Sequence, residues 1–243
     1  MEFENFKALF EENLAKNSLS VYADEQIIRK FYNLTTMMMA KNQVMNITAI
    51  REVERIIPLH YIDCLKIAHL IPQNAHVIDV GCGGGFPTLP LAIVRPDICI
   101  TALDSTEKKV NYVIEVASAL HLGNVTGIIG RAEELAQSPS LREKFTVATS
   151  RAVARLCLLD ELCLPFVEIG GQMIVMKGAM GLEELDEAQK GIEILGGSVK
   201  NVIFDQICVL DERESRVNIV IEKVSSTPTK YPRQFGQIKK KPL

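Results

Sequence analysis

The chain has 243 residues, 47% of them apolar, and a formal charge of −3, so it can bury one substantial core and an appended lobe. That balance excludes a histone-like, wholly basic nucleic-acid binder but says nothing of local patches. With no run of eighteen apolar residues, no secretory leader pattern and six cysteines at 64, 82, 99, 157, 163 and 208 without a CxxC pair, a soluble cytoplasmic protein with buried reduced thiols is expected, with neither a metal site, a disulfide framework nor a membrane partner.

Residues 1–70 read as a helical lobe, because Phe3, Phe6, Leu9 and Phe10, and then Val21, Ile27, Ile28, Phe31 and Leu34, recur at helical spacing. Between its helices lies Met45-Asn46-Ile47-Thr48-Ala49-Ile50. His60 and Asp63, three apart on one helix face, either line a pocket or bond each other, and the structural role is favoured. From residue 71 to 224 strands and helices alternate, the pattern of a doubly wound α/β sheet with ligands at the strand C-termini.

The first strand, His76 to Val80, breaks into Gly81-Cys82-Gly83-Gly84-Gly85-Phe86-Pro87 and then a helix. Such a turn takes φ > 0 and lets a ligand lie against backbone N–H groups, so Gly81, Gly83 and Gly85 read as a ligand cradle. No Gly-Lys-Ser/Thr follows, and Phe86 stands where the dinucleotide fingerprint requires a small residue. The second strand, Ile98 to Leu103, ends on Asp104, about twenty residues after the glycines and placed to accept both hydroxyls of a ribose, with Ser105 beside it.

The helix from Glu107 to His121 carries Lys108 and Lys109 in its first turn, where they oppose the helix dipole. The third strand, Asn124 to Ile129, leads into Gly130-Arg131-Ala132-Glu133-Glu134. There Ala132 is small enough for an adenine to lie flat, and Glu133 is either a ligand contact or a helix N-terminal charge. The fourth strand, Phe145 to Ser150, ends on Arg151 and lacks the Asn/Asp-Pro-Pro-Tyr/Phe motif that holds an exocyclic amine; the fifth, Gly171 to Met176, ends on Lys177. A helix from Gly181 to Leu195 stops at Gly196-Gly197. Two strands near Val199–Leu210 and Val217–Val224 then suit an antiparallel pair at the sheet edge with Asp211 to Ser215 as the turn. Residues 225–243 form a basic tail without an acid, in which Arg233, Lys239, Lys240 and Lys241 alternate with Tyr231 and Phe235. It is expected to be poorly packed, either a solvated terminus or an arm for single-stranded RNA.

The glycine loop followed by Asp104 resembles motifs I and II of the S-adenosylmethionine-dependent methyltransferases. Asn46-Ile47-Thr48, His60-x-x-Asp63, Asp79 to Pro87, Leu103-Asp104-Ser105 with Lys108-Lys109, Gly130 to Glu133, Ser150-Arg151-Ala152, Lys177-Gly178 and Tyr231-Pro232-Arg233, in that order, resemble the bacterial small-subunit ribosomal RNA methyltransferase G (GidB) family. The resemblance implies a seven-stranded Rossmann-like class I methyltransferase sheet with an N-terminal helical lobe. It implies methyl transfer from S-adenosyl-L-methionine to N7 of a guanine in the 530 loop of 16S ribosomal RNA, in the 30S subunit or its precursor, by a monomer. Gly81, Phe86, Ala132, Glu133 and Arg151 would contact the donor. Lys108, Lys109, Arg131, Lys177 and the tail cations would clamp RNA, with Arg151 and Lys177 as positioning candidates and no residue assigned as a chemical catalyst. Two departures stand out: Thr88 where glycine is usual, expected to narrow the loop, and Thr146 where Asp is usual, expected to remove a hydrogen bond. Guanine N7 carries no proton, so its methylation needs orientation rather than a general base. A methyltransferase of another substrate and a non-catalytic ribosome-assembly factor are the alternatives.

Overall fold

A computed structural model describes residues 1–243. The helices α1 (Phe3–Lys16) and α2 (Glu25–Asn42) press their apolar stripes together, Phe6, Phe10 and Leu14 against Ile28, Phe31, Leu34 and Met38. The start of α2 is set by Asp24, whose Oδ1 accepts from the amides of Gln26 and Ile27 at 2.9 and 3.1 Å, a cap worth about 1 kcal/mol. After α3 (Val53–Ile56) the chain widens into a π-helical turn over Ile57–Ile62 before α4 (Asp63–Leu65). Pro58 lies at the start of that turn and has no N–H to give the helical ladder.

Seven strands follow: β1 (His76–Val80), β2 (Cys99–Asp104), β3 (Val125–Ile129), β4 (Phe145–Arg151), β5 (Val167–Lys177), β6 (Gly197–Val209) and β7 (Glu212–Lys223). Their order is β3-β2-β1-β4-β5-β7-β6, the first five parallel and β7 antiparallel to both neighbours. The direction of winding reverses between β1 and β4, where an open sheet leaves a crevice beyond its strand C-termini. The interleaved helices are α5 (Thr88–Val94), α6 (Glu107–Ala119), α7 (Ala132–Leu135), α8 (Leu156–Cys163) and α9 (Gly181–Ile194). The sheet class, strand count and antiparallel hairpin match expectation. The hairpin turn is tighter than expected, only Leu210 and Asp211, because Val209 already pairs with Glu212. The sequence reading passed over α8: seven of its eight residues are buried, leaving no alternation of polar and apolar faces to read.

Each sheet face carries its own core. On one, a cluster of 41 buried residues runs from α1 and α2 through Ile57, Tyr61 and Ile62 to β1, β2, α5 and α6, so residues 1–70 pack as a layer of the same core as the sheet. On the other, α8 and α9 cover β4, β5 and β7. The tail also belongs there, which corrects the expectation of a poorly packed terminus. Tyr231 and Ile238 are buried in that cluster, and the last helix, α10 (Phe235–Lys240), contacts α8. The tail's partners include both near and remote residues: Lys223 Nζ, fully buried and four residues away, donates to the Thr227 hydroxyl, and Arg142, more than 80 residues earlier, donates to the carbonyls of Thr227 and Tyr231. No helix is long and apolar enough to cross a membrane.

Candidate functional site

The crevice at the β1/β4 switch holds a cleft of about 530 Å³. Its floor begins where β1 ends: the amides of Gly81 and Cys82 both donate to the Leu103 carbonyl, at 2.8 and 2.9 Å, turning the chain sharply across the end of β2. Gly81 has φ +78°, and a Cβ there would stand 2.6 Å from Val153 on the opposite wall. Gly83 lines the cleft and donates its amide to Asp104 Oδ2 at 3.1 Å; Gly84, not assigned from the sequence, lines it too, against Ile47. Gly85 is corrected: it does not line the cleft, and its φ of +88° and lack of a Cβ serve close packing on Leu89 and Val113 at the start of α5.

Asp104 is buried, and its second oxygen accepts from the Thr106 amide at 2.9 Å. The carboxylate thereby ties the glycine turn to the end of β2, with exposed Ser105 beside it and Lys109 Nζ at 3.7 Å. Across the cleft, Ala132 and Glu133 open α7 and are nearly buried. Arg131 Nε donates to Glu133 Oε1 at 2.9 Å, and the Arg131 guanidinium lies over the ring of Phe235, which the packed tail brings to the cleft wall.

At the end of β4, Arg151 is held from three sides. Nη1 donates to the Leu59 carbonyl at 2.9 Å and to Asp63 Oδ2 at 3.0 Å, Nη2 meets His60 Nδ1 at 3.2 Å, and the guanidinium sits 5.5 Å from the Phe86 ring centre. Nε is buried without a partner. Asp63 turns its other oxygen to Arg216 Nε at 2.9 Å. His60 and Asp63 therefore do not bond each other; both engage Arg151. His60 also reaches Thr48 Oγ1 at 2.8 Å, and Asn42 organises that loop by accepting from the amides of Ile47 and Thr48. Burial, and then the charge of Arg151, hold the His60 imidazole down to a pKa of about 4, so it is neutral near pH 7.

Below the glycine turn, Asp79 is fully buried. It accepts from Thr88 Oγ1 at 2.6 Å and Thr149 Oγ1 at 3.2 Å, and burial still pushes it up to about 6. Thr88 therefore anchors the loop beneath its floor instead of narrowing it. Thr146 keeps a hydrogen bond, accepting from the His76 amide at 3.4 Å.

The rim cations need a wider correction. Lys177 lies outside the first cleft, in a neighbouring one, with its ammonium donating to the Ala154 carbonyl at 2.6 Å and paired with Glu184 at 2.7 Å. It pins the loop after β4 and is not a free clamp. Arg233 is bound to the fully buried Glu161, as close as 2.6 Å, and serves to anchor the tail. Lys108, Lys239, Lys240 and Lys241 are exposed and make no ion pair, but none lines the cleft. Ile47, Val153 and Phe235 as wall residues and Arg216 as a partner of Asp63 are not assigned by the sequence; Ile47 lies within the Asn46-Ile47-Thr48 motif and Phe235 among the aromatics of the basic tail, so both stretches carry a signal without the role. No group of three or more His, Cys, Asp or Glu side chains is gathered as a metal site requires.

Comparisons with known proteins bear on the fold and the family. At the level of fold alone, M. jannaschii TYW2 in complex with AdoMet is similar with a TM-score of 0.51 at 16% identity, covering 67% of this chain and 75% of that one. The YcgJ protein of Bacillus subtilis gives 0.51 at 13%, covering 69% and 100%. In sequence, the chain is 40% identical to the ribosomal RNA small subunit methyltransferase G of Clostridium tetani, covering 95% of this chain and 97% of that one. It is 41% identical to that of Clostridium perfringens, covering 94% and 96%, and 40% identical to that of Leuconostoc mesenteroides, again 94% and 96%. The family model for rRNA small subunit methyltransferase G (GidB) matches residues 27–212, and the chain belongs to that family.

Proposed function

We propose that this protein transfers a methyl group from S-adenosyl-L-methionine to N7 of a guanine in the 530 loop of 16S ribosomal RNA, acting in the cytoplasm as a monomer. Family membership supports the ribosomal RNA substrate, and the residues around the crevice suit the donor. The cleft of about 530 Å³ is within the roughly 300–1,000 Å³ usual for a small-molecule site. Its floor is a turn where a side chain at Gly81 would collide with Val153, and a buried carboxylate stands at the neighbouring strand end.

When bound, the donor supplies an electrophilic methyl on a sulfonium and leaves as S-adenosyl-L-homocysteine. Asp104 and Ser105 would hold the ribose hydroxyls, Ala132 and Glu133 the adenine, and Gly81, Gly83, Phe86 and Arg151 the methionine end, with Gly85 supporting the turn from behind. Orientation by such contacts is worth roughly 7–11 kcal/mol.

One observation carries the choice of N7: beside Arg151, neither His60 nor Asp63 has a basic atom free. Arginine has no acceptor, so Arg151 occupies the lone pair of His60 Nδ1, and the Nε2–H faces Thr48. Asp63 is taken up by two arginines. A nucleophile that must lose a proton could give it to neither of these residues, whereas guanine N7 needs no base. Two experiments test the reading. Borohydride and aniline treatment should cleave 16S rRNA from cells with the gene at one guanine and leave RNA from the deletion strain intact; equal cleavage in both would refute it. Calorimetry should detect S-adenosyl-L-methionine binding that Asp104→Ala abolishes.

A further inference from the structure

Two more clefts continue the first one across the molecule. The second, about 550 Å³, shares Arg151, Ala152 and Val153 with the donor cleft as a common wall; the third, about 640 Å³, shares Arg216 with the second and ends between the α1 C-terminus and the edge strand β6. The partition is a strained piece of backbone: Ala152 takes φ +56°, a conformation that non-glycine residues hold only where surrounding contacts enforce it. Here Lys177 on the Ala154 carbonyl and Glu184 on the Leu156 amide do so.

The walls of this trough are basic in a chain whose net charge is −3. On the hairpin side Lys16, Lys66, Arg213 and Arg216 stand against Asp205 alone, and nearer the donor cleft Arg151, Arg155 and Lys177 stand against Asp63 and Glu184. Most of these cations are already paired with carboxylates in or beside the trough. Arg213 is exposed and has no ion pair; its one side-chain bond is to Gln206 at 3.4 Å. On the same hairpin face, four residue pairs along the β6/β7 register, Phe204 leaves 67% of its surface in solvent, and Leu182 on the same trough wall leaves 44%. An exposed ring and an uncommitted guanidinium on one hairpin face, at the end of a basic groove leading from a methyl-transfer cleft, suit a single-stranded nucleic acid: the ring stacks a base of any identity and the cation meets a phosphate farther along the strand.

We propose that the ribosomal RNA strand leaves the donor cleft over the Arg151–Val153 partition, crosses Arg216 and lies on the β6/β7 hairpin, with one flanking base stacked on Phe204 and a phosphate on Arg213. This rests on the methyltransferase reading and names the surface that reading lacks, because the cations first expected to clamp RNA lie elsewhere or are committed to structural pairs.

The experiment uses 30S subunits, or deproteinised 16S rRNA, from a strain without the gene, whichever the unaltered protein methylates; failure of the unaltered protein on both would strike the function reading, not this one. Phe204→Ala should lower kcat/KM for the RNA substrate roughly 10-fold, Phe204→Tyr should retain it, and S-adenosyl-L-methionine affinity should not move. Arg213→Ala should reduce the slope of log affinity against log salt by about 0.7 to 1. p-Benzoylphenylalanine in place of Phe204 should crosslink to 16S rRNA. Unchanged kinetics in Phe204→Ala, or a crosslink confined to a ribosomal protein, overturns the proposal.

Discussion

The imidazole of His60 lies flat on the ring of Phe86, their centres 4.6 Å apart and their planes within 17°. One belongs to the N-terminal helices and the other to the glycine turn, so the contact joins the α-helical layer to the floor of the cleft. Its hydrogen bonds assign the neutral tautomer with the proton on Nε2.

That assignment has a pH signature. With a folded pKa of about 4 against an ordinary 6.5, the unfolded chain takes up the proton first as pH falls. The contribution is complete above pH 6.5 and is lost progressively down to pH 4, on the order of 3 kcal/mol in all. His60→Gln should flatten the pH dependence of the urea midpoint across that window, and a variant that parallels the unaltered protein there would contradict a buried neutral imidazole.

Asp79 titrates in the opposite sense. Its folded pKa, raised to about 6 by burial, means that its contribution is present below about pH 3.8 and lost as pH rises through 6. Thr88→Val removes the 2.6 Å hydroxyl bond to the charged form. It should destabilise by about 1–3 kcal/mol at pH 8 and by less at pH 5, as read from denaturant unfolding at the two values.

The two outer glycines of the turn should separate affinity from stability. Gly81→Ala pushes Val153, a wall of the donor cleft, and should weaken S-adenosyl-L-methionine binding at least about 10-fold, a loss of roughly 1.4 kcal/mol. Gly85→Ala strains φ +88° and drives into Leu89 and Val113; it should cost more than about 1 kcal/mol of folding stability with a smaller effect on binding. Calorimetry and thermal melts on both variants make the comparison.

Asp63 bridges Arg151 and Arg216, one carboxylate oxygen to each. Asp63→Asn offers one oxygen to two guanidinium groups and loosens Arg151, so kcat should fall about 10- to 100-fold, the penalty of a small misplacement. Asp63 itself does not line the donor cleft, so donor affinity should fall only as far as the loosened Arg151 weakens its one contact with the donor, and by less than kcat. A proportionate loss of both would mark the residue as structural only.

Arg233→Ala leaves the carboxylate of Glu161 buried and unpaired and should cost about 3 kcal/mol in a chemical melt. The salt dependence of RNA binding should remain unchanged. A shallower salt slope with intact stability would restore the clamp first expected of it.

The strands, the glycine turn and Asp104 were legible in the sequence because each rests on local chemistry. Apolar runs of β-formers bury on both faces of a parallel sheet, glycine alone tolerates the turn, and an acid at a strand end lies within one βα unit of it. The fate of the cations was not legible. Lys177 and Arg233 look in one dimension like Lys108, which has no ion pair, and nothing near Arg233 announces that Glu161, 72 residues earlier, is buried and needs a partner. The same holds for Arg216 and Asp63, 153 residues apart. By itself, then, the sequence determined the sheet, the glycine turn and the family, through periodicity and motif. Only the tertiary structure decided which charges are spent on holding Arg151 and the tail and which remain for a partner, because a buried carboxylate draws its cation from whatever the fold brings within hydrogen-bond reach.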